Sequence, residues 1–187
     1  MKIIGVLALQ GDFERHENAF QRIGCKTIQI RKCEHLRQCS GLVIPGGEST
    51  TLTKLIKEYN MADSIREFAK NNPVMGTCAG LIMLAEKVND PRVEPLKLIE
   101  AFVLRNGYGR QLDSFAEKLN LNLNGEQHEM KAIFIRAPKI EQISSSVEVL
   151  AECRGVPVLI KQNRVLAMSF HPELSDDTAI HRYFTTI

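Results

Sequence analysis

The sequence predicts an α/β fold with a mostly parallel central sheet and some antiparallel strands in its C-terminal half. Two patterns carry that expectation. In the first half, apolar runs alternate with helical spacings, the signature of strand–helix–strand units around a parallel sheet covered on both faces. In the second half, strand-like runs follow one another with little helix between them, which favours antiparallel pairing.

Ile3 to Leu9 reads as a fully buried strand, ended by Gln10-Gly11-Asp12. Phe13, His16, Ala19, Phe20 and Ile23 recur at helical spacing, and Gly24 is a natural helix stop. Lys26 to Ile30 is a second strand, and Gly41 to Ile44 a third, closed by Pro45-Gly46-Gly47. Leu52, Leu55, Ile56 and Tyr59 mark one helix; Ile65, Phe68 and Ala69 mark another. Pro73 to Met75 is a short strand, and Leu81 to Lys87 a helix-like run. Ile99–Leu104, Lys131–Ile135, Val147–Glu152, Val156–Gln162 and Val165–Phe170 read as strands, with a hairpin turn at Gln162-Asn163-Arg164-Val165. A final helix is expected over Asp176 to Phe184, capped by Ser175. No repeat or long linker divides the chain, so residues 1–187 are expected to form one domain.

Composition narrows the function classes. A net charge of +2 does not point to a nucleic acid or an anionic membrane. No apolar run approaches the ~18 residues of a membrane span. The apolar N-terminus leads into Asp12 and Glu14 rather than a small-residue cleavage site, so it is read as a strand and not a signal peptide. The five cysteines have irregular spacing and no Cys-x-x-Cys pair, which fits a reducing cytoplasm better than a disulfide framework. Cys33, His35 and Cys39 are close in sequence, but no second ligand pair with zinc spacing follows; no metal and no cofactor is expected.

Gly76-Thr77-Cys78-Ala79-Gly80 is the most informative stretch. A cysteine between glycines, after a short strand and before a helix, is the setting of a nucleophile elbow. The N–H groups at a helix start favour a thiolate over a thiol. In isolation, a buried cysteine between two turn glycines would read the same way. A thiol nucleophile needs a base, and the base needs an orienting group. His171-Pro172-Glu173 follows the last strand; in an extended segment the two side chains project to one side, so Glu173 can hold the His171 ring. The N–H of Ala79 and the flexible Gly46-Gly47 peptides are candidate donors for an oxyanion. A phosphate cradle at Pro45–Ser49 is disfavoured, because the Walker lysine is missing and Glu48 would repel the ligand. The lone Gly-x-Gly at Gly107–Gly109 is weak evidence for a dinucleotide site, whereas Arg105, Arg110 and Arg136 are candidate carboxylate clamps.

Pro45-Gly46-Gly47-Glu48-Ser49-Thr50, Gly76-Thr77-Cys78-Ala79-Gly80 and Phe170-His171-Pro172-Glu173 together resemble the three motifs of class I, triad-type glutamine amidotransferases. Leu7 to Gly11, Arg105 to Gln111 with Asp113-Ser114-Phe115, and Phe134 to Pro138 are similar to the glutaminase-subunit family of pyridoxal phosphate synthases, over nearly the whole chain. The resemblance implies a flavodoxin-like three-layer sandwich and hydrolysis of L-glutamine to glutamate and ammonia. It implies Cys78 as nucleophile, His171 as proton carrier and Glu173 as its orienting group, with Gly47 and Ala79 forming the oxyanion hole. It assigns Gly46, Gly47, Glu48, Arg105, Ile135, Arg136 and Gln10 to the glutamine site. It also implies a heteromeric partner, the synthase (lyase) subunit, which receives ammonia through a channel and activates the glutaminase on docking. The alternatives are a glutaminase serving another synthase, such as imidazole glycerol phosphate synthase, and a non-catalytic regulatory subunit of the same fold. A papain-like protease does not fit the residues flanking Cys78. The chain departs from the family pattern at Glu14-Arg15, where the two charges are swapped, and Leu119 to Met130 has no functional reading.

Overall fold

The computed structural model describes residues 2–107 and 114–187. The elements run β1 (Ile3–Leu7), α1 (Phe13–Arg22), β2 (Lys26–Ile30), β3 (Gly41–Ile44), α2 (Ser49–Glu58), α3 (Ala62–Ala69), β4 (Val74–Thr77), α4 (Ala79–Leu84), β5 (Ala85–Val88), β6 (Ile99–Leu104), β7 (Ser114–Leu123), β8 (Glu126–Ile135), β9 (Lys139–Ile143), β10 (Glu148–Cys153), β11 (Val156–Gln162), β12 (Val165–Met168) and α5 (Ala179–Phe184). Short 3-10 turns occupy Cys33–Gln38 and Pro172–Leu174.

The described residues form a seven-stranded sheet of order β10-β11-β12-β4-β3-β1-β2. Strands β2, β1, β3, β4 and β12 are mutually parallel, whereas β11 runs antiparallel to both β12 and β10. The period-2 alternation of side chains shows why both faces are closed. On β3, Leu42 and Ile44 enter one apolar cluster and Val43 the other; on β12, Val165 and Ala167 enter the first, Leu166 and Met168 the second. The first cluster is completed by Leu52 and Ile56 of α2, Ile65 of α3 and Leu81 to Leu84 of α4. The second is completed by Phe20 of α1, by Ile180, Tyr183 and Phe184 of α5, and by the β7–β8 hairpin. The central strands β1, β3, β4 and β12 are apolar almost throughout as a consequence, because both of their faces are covered.

The order β2-β1-β3-β4 reverses direction between β1 and β3, so a crevice opens at the carboxyl ends of those strands. The loops after β1, β3 and β4 carry Gln10-Gly11, Gly46-Gly47 and Cys78 to that edge.

Several expected boundaries are corrected. The helix-like run Leu81–Lys87 is helical only to Leu84; Ala85–Val88 leaves as β5 and pairs in parallel with β6, so tertiary pairing overrides the helix propensity of Glu86 and Lys87. The last helix starts at Ala179 rather than Asp176. Ser175 is not its cap; the Asp177 carboxylate accepts from the Ala179 N–H at 2.9 Å instead. Residues 119–130 belong to a hairpin of two ten-residue strands, β7 and β8, turning at Asn124-Gly125 with both residues at positive φ. The Arg110 clamp candidate and the rest of the segment 108–113 lie outside the described residues.

Candidate active site

Cys78 sits on the sharp turn between β4 and α4, at φ 50° and ψ −104°. That conformation is costly for a non-glycine residue and persists only where its surroundings enforce it. Two flanking close approaches provide the enforcement. A Cβ on Gly76 would lie 2.6 Å from the Gly80 backbone, and one on Gly80 would lie 2.0 Å from the Ile44 carbonyl oxygen. Strand, turn and helix therefore close on one another with no room for a side chain on either side of the sulfur. The Cys78 N–H donates to Met168 O at 2.9 Å, which anchors the turn to β12.

His171 and Glu173 follow β12 directly. The His171 N–H donates to Ile133 O on β8 at 2.9 Å, and the ring Nδ1 lies 2.7 Å from Glu173 Oε1. The expected pairing is present, but its cause differs. The chain does not stay extended: Pro172–Leu174 is a 3-10 turn that folds the carboxylate back under the ring. His171 is packed against the glycine loop, since a Cβ on Gly46 would come 2.6 Å from His171 Cε1 and 3.4 Å from Cys78 Cβ. Burial opposes a charge on His171, but the neighbouring Cys78 sulfur and the hydrogen-bonded Glu173 carboxylate outweigh it and raise the imidazole to about 10. Burial likewise opposes ionisation of Glu173, but electrostatic attraction to the His16 and His171 rings and the His171 hydrogen bond outweigh it, so the carboxyl lies below its usual range. The thiol Sγ also lies 3.7 Å from Ile135 O.

A cleft of about 390 Å³ opens above Cys78. It is lined by Gly46, Gly47, Glu48, Cys78, Ala79, Arg105, Ile135, Arg136 and His171, together with Gly11, Asp12, Ser49, Ile82 and Asn106. Of the residues expected from the sequence to form the triad, the oxyanion hole and the glutamine site, the cleft is lined by all but Glu173, which lies behind the His171 ring, and Gln10, which stands behind Gly47. A Cβ on Gly47 would meet Gln10 Nε2 at 2.4 Å, and Gln10 Oε1 accepts from the Glu48 N–H at 3.2 Å. Gly47 itself is at φ 152°, a conformation that side chains rarely adopt.

Glu48 caps α2, where its Oε2 accepts from the Thr51 N–H at 2.8 Å. Burial opposes its charge, but the hydrogen bonds from Thr50 and Thr51 and the Arg105 charge lower the carboxyl to about 2. Its other oxygen pairs with the Arg105 guanidinium. Arg105 is held from behind by Asp90 at 2.7 Å, and Asp90 pairs in turn with Arg92 at 2.6 Å. One anion and one cation therefore line the cleft as a pair. Sequence reasoning missed Asp90, because a single acid in a turn before a proline carries no signal until β6 brings Arg105 to it. Among the described residues, no group of three or more His, Cys, Asp and Glu side chains is placed to hold a metal.

The model of the SNO glutamine amidotransferase family matches residues 6–187. The chain belongs to that family. Among the family's relatives, the pyridoxal 5'-phosphate synthase subunit PdxT of Solibacter usitatus is 46% identical over 191 residues, covering 98% of this chain and 98% of that protein. PdxT of Thermus thermophilus is 46% identical over 185 residues, covering 97% and 95%. A crystal structure of a glutamine amidotransferase superposes with a TM-score of 0.92 at 45% identity, over 98% of this chain and 97% of that one. PurLQS from Thermotoga maritima superposes with a TM-score of 0.73 at 14% identity, over 100% and 99%, and speaks for the fold alone. The flavodoxin-like α/β architecture expected from the sequence is the one the SNO amidotransferase chain has.

Two buried histidines near the site make stability depend on pH. Burial lowers His181 from 6.5 to about 3, with His16 and Arg22 acting in the same direction and Glu173 against. Below pH 6.5 the unfolded chain takes up a proton that the folded chain refuses, so stability is lost as pH falls from 6.5 toward 3. Between pH 8 and pH 5 this one group should cost about 2 kcal/mol. His171 has the opposite sign: its contribution is complete below pH 6.5 and disappears as pH rises through about 10, so it leaves the acid limb untouched. Urea unfolding at pH 8 and pH 5 tests this. His181→Gln should shrink the difference in unfolding free energy by about that amount, and an equal difference in the variant contradicts it.

Proposed function

We propose that the chain hydrolyses the side-chain amide of L-glutamine and delivers the ammonia to the synthase subunit of a pyridoxal phosphate synthase. The observation that carries the proposal is that Cys78 and His171 line one cleft while the Glu173 carboxylate stands behind the imidazole, 2.7 Å from its Nδ1. Family membership and whole-chain relatives named as pyridoxal 5'-phosphate synthase subunits support this acceptor over the synthase of another pathway.

In the proposed reaction, glutamine enters with its α-ammonium toward Glu48 and its α-carboxylate toward Arg105 and Arg136, while Gly46, Gly47 and Ile135 close on its backbone. Gln10 supports the Gly47 peptide from behind. Cys78 Sγ attacks the amide carbon, and the oxygen becomes an oxyanion facing the N–H groups of Gly47 and Ala79. Each such donor is worth about 2.7–4 kcal/mol of transition-state stabilisation. His171 gives its proton to the amide nitrogen, the carbon–nitrogen bond breaks, and ammonia leaves a glutamyl thioester on Cys78. A water molecule, deprotonated by His171, then attacks the thioester; glutamate leaves and the sulfur recovers its starting state. Glu173 keeps the ring aligned through both transfers.

The Glu48–Arg105 pair has a consequence for affinity. Each group satisfies the other in the empty cleft, so glutamine's zwitterionic head replaces one ion pair by two. Arg105→Ala removes the cation and leaves Glu48 facing the substrate carboxylate. A charge-assisted contact is worth about 1.5–3 kcal/mol. The expected result is therefore a rise in KM for glutamine of about 10- to 100-fold, with a smaller change in kcat. Steady-state kinetics in the presence of the synthase subunit tests it; an unchanged KM removes Arg105 from the substrate site.

The proposal places one glutaminase domain over residues 1–187, in the cytoplasm. All five cysteines are free, as a reducing compartment requires, and no helix among the described residues is long and apolar enough to cross a membrane. The functional test is glutamate release from glutamine with and without the synthase subunit. Release that rises on adding that subunit is expected. Release unaffected by it, or absent in both mixtures, contradicts the proposal.

A further inference from the structure

Behind Glu173, on the side away from His171, lies a second pair of imidazoles that the proposed reaction does not use. His16 of α1 and His181 of α5 are both fully buried. His16 Nε2 stands 3.3 Å from Glu173 Oε2 and 3.3 Å from Thr77 Oγ1, and its Nδ1 lies 3.1 Å from His181 Nε2. Each oxygen of the Glu173 carboxylate thus faces a different imidazole: Oε1 meets His171, and Oε2 meets His16. The second contact is at ion-pair distance but off the line of a well-aligned hydrogen bond.

Proton placement in this row follows from elementary chemistry. Carboxylate oxygens only accept, so His16 Nε2 attracts Oε2 only if it carries a hydrogen, which the Thr77 hydroxyl oxygen beside it can then accept. Burial lowers the proton affinity of His16, and the charge on His171 acts the same way, against Glu173 and Asp12. A neutral His16 with its hydrogen on Nε2 has a lone pair on Nδ1, which must accept from His181 Nε2–H. His181 is itself kept neutral, so its Nδ1 is left bare, and that atom is the one without a partner in the structure. Protonating it would bury an N–H with nothing to receive it. One tautomer of each ring satisfies the His16–His181 and His16–Thr77 contacts and puts the His16 hydrogen on the nitrogen that faces Glu173.

We propose that His16 is a positioning residue for the reaction, with His181 fixing its tautomer, so that the His16 ring N–H holds the second oxygen of Glu173 and prevents the carboxylate from rotating away from His171. The inference rests on the proposed roles of Cys78, His171 and Glu173. If Cys78→Ala retains glutaminase activity, those roles fail; the measurements below address His16 on its own.

His16→Leu keeps the volume and removes the donor. His16→Gln places an amide N–H where Nε2–H stood. Activity is measured with the synthase subunit present, per active site titrated by an electrophilic glutamine analogue. His16→Leu should lower kcat about 10- to 100-fold with KM for glutamine within about threefold of the parent, and His16→Gln should recover most of the loss. His16→Leu combined with Glu173→Gln should be no slower than Glu173→Gln alone, because His16 acts only through that carboxylate. Unchanged kcat in folded His16→Leu, a glutamine variant no better than leucine, or losses that multiply in the double variant would each overturn the proposal. A merely structural His16 gives the last two results. Should His16→Leu not fold, imidazole nitrogen NMR of the unaltered protein decides: hydrogen on His16 Nε2 with a bare Nδ1 at pH 7 is expected, and the reverse tautomer or a doubly protonated ring refutes it.

Discussion

Cys78→Ala is expected to abolish glutamate release from glutamine while leaving the fold and docking to the synthase subunit intact. The side chain is small and sits over an open cleft, so its loss creates little cavity; the backbone strain at φ 50° is held by Gly76, Gly80 and the bond to Met168 O, none of which uses the sulfur. The chemical loss should be large, because Cys78 carries the only thiol that lines the cleft among the described residues. Removing a nucleophile from a triad typically costs about 10,000-fold or more in kcat. The check is coupled glutamate production alongside thermal unfolding and co-sedimentation with the synthase subunit. Glutamine-dependent activity in a folded Cys78→Ala chain would remove the nucleophile assignment.

The second large effect separates His171 from Glu173. His171→Ala removes the group that moves the proton in both half-reactions and should approach the Cys78→Ala loss. Glu173→Ala removes only the orienting carboxylate, and the imidazole remains tethered by its backbone bond to Ile133 O and its packing on Gly46. Its loss should be smaller by about 10- to 100-fold, as for the acidic member of other triads. Glu173→Ala also leaves His16 without a carboxylate to face. The neutral His16 then needs no counter-charge, so the variant should remain folded. Parallel kcat measurements at one pH decide the matter; equal losses, or a greater loss in Glu173→Ala, contradict this division of roles.

Much of this site was legible because it is built from local signals at the ends of unambiguous strands. The runs at Ile3, Gly41 and Pro73 could only be buried strands, and the residues after each had to fall on one edge of a parallel sheet. Gly76-Thr77-Cys78-Ala79-Gly80 states its own geometry, since glycines flank the one residue that is not free to avoid strain. His-Pro-Glu gave the right pair through the wrong conformation: the two side chains meet because a 3-10 turn folds one under the other. The readings that failed depended on distant partners. Ala85–Val88 has the composition of a helix end and becomes a strand only because β6 lies beside it. The β7–β8 hairpin did have a local signal, Asn124-Gly125 between alternating apolar residues, which is a strong hairpin sequence that went unused. His16 looked like one more apolar-face position of α1. Its contact with Glu173 spans more than half the chain, and no periodicity reports that.

The most direct test is rapid quenching of the complex with glutamine, followed by mass analysis of the peptide that contains Cys78. A glutamyl group on that cysteine, formed before glutamate appears in solution and discharged with it, is the expected result. Glutamate release with no such adduct, or an adduct confined to Cys25, Cys33, Cys39 or Cys153, would contradict catalysis by the elbow sulfur.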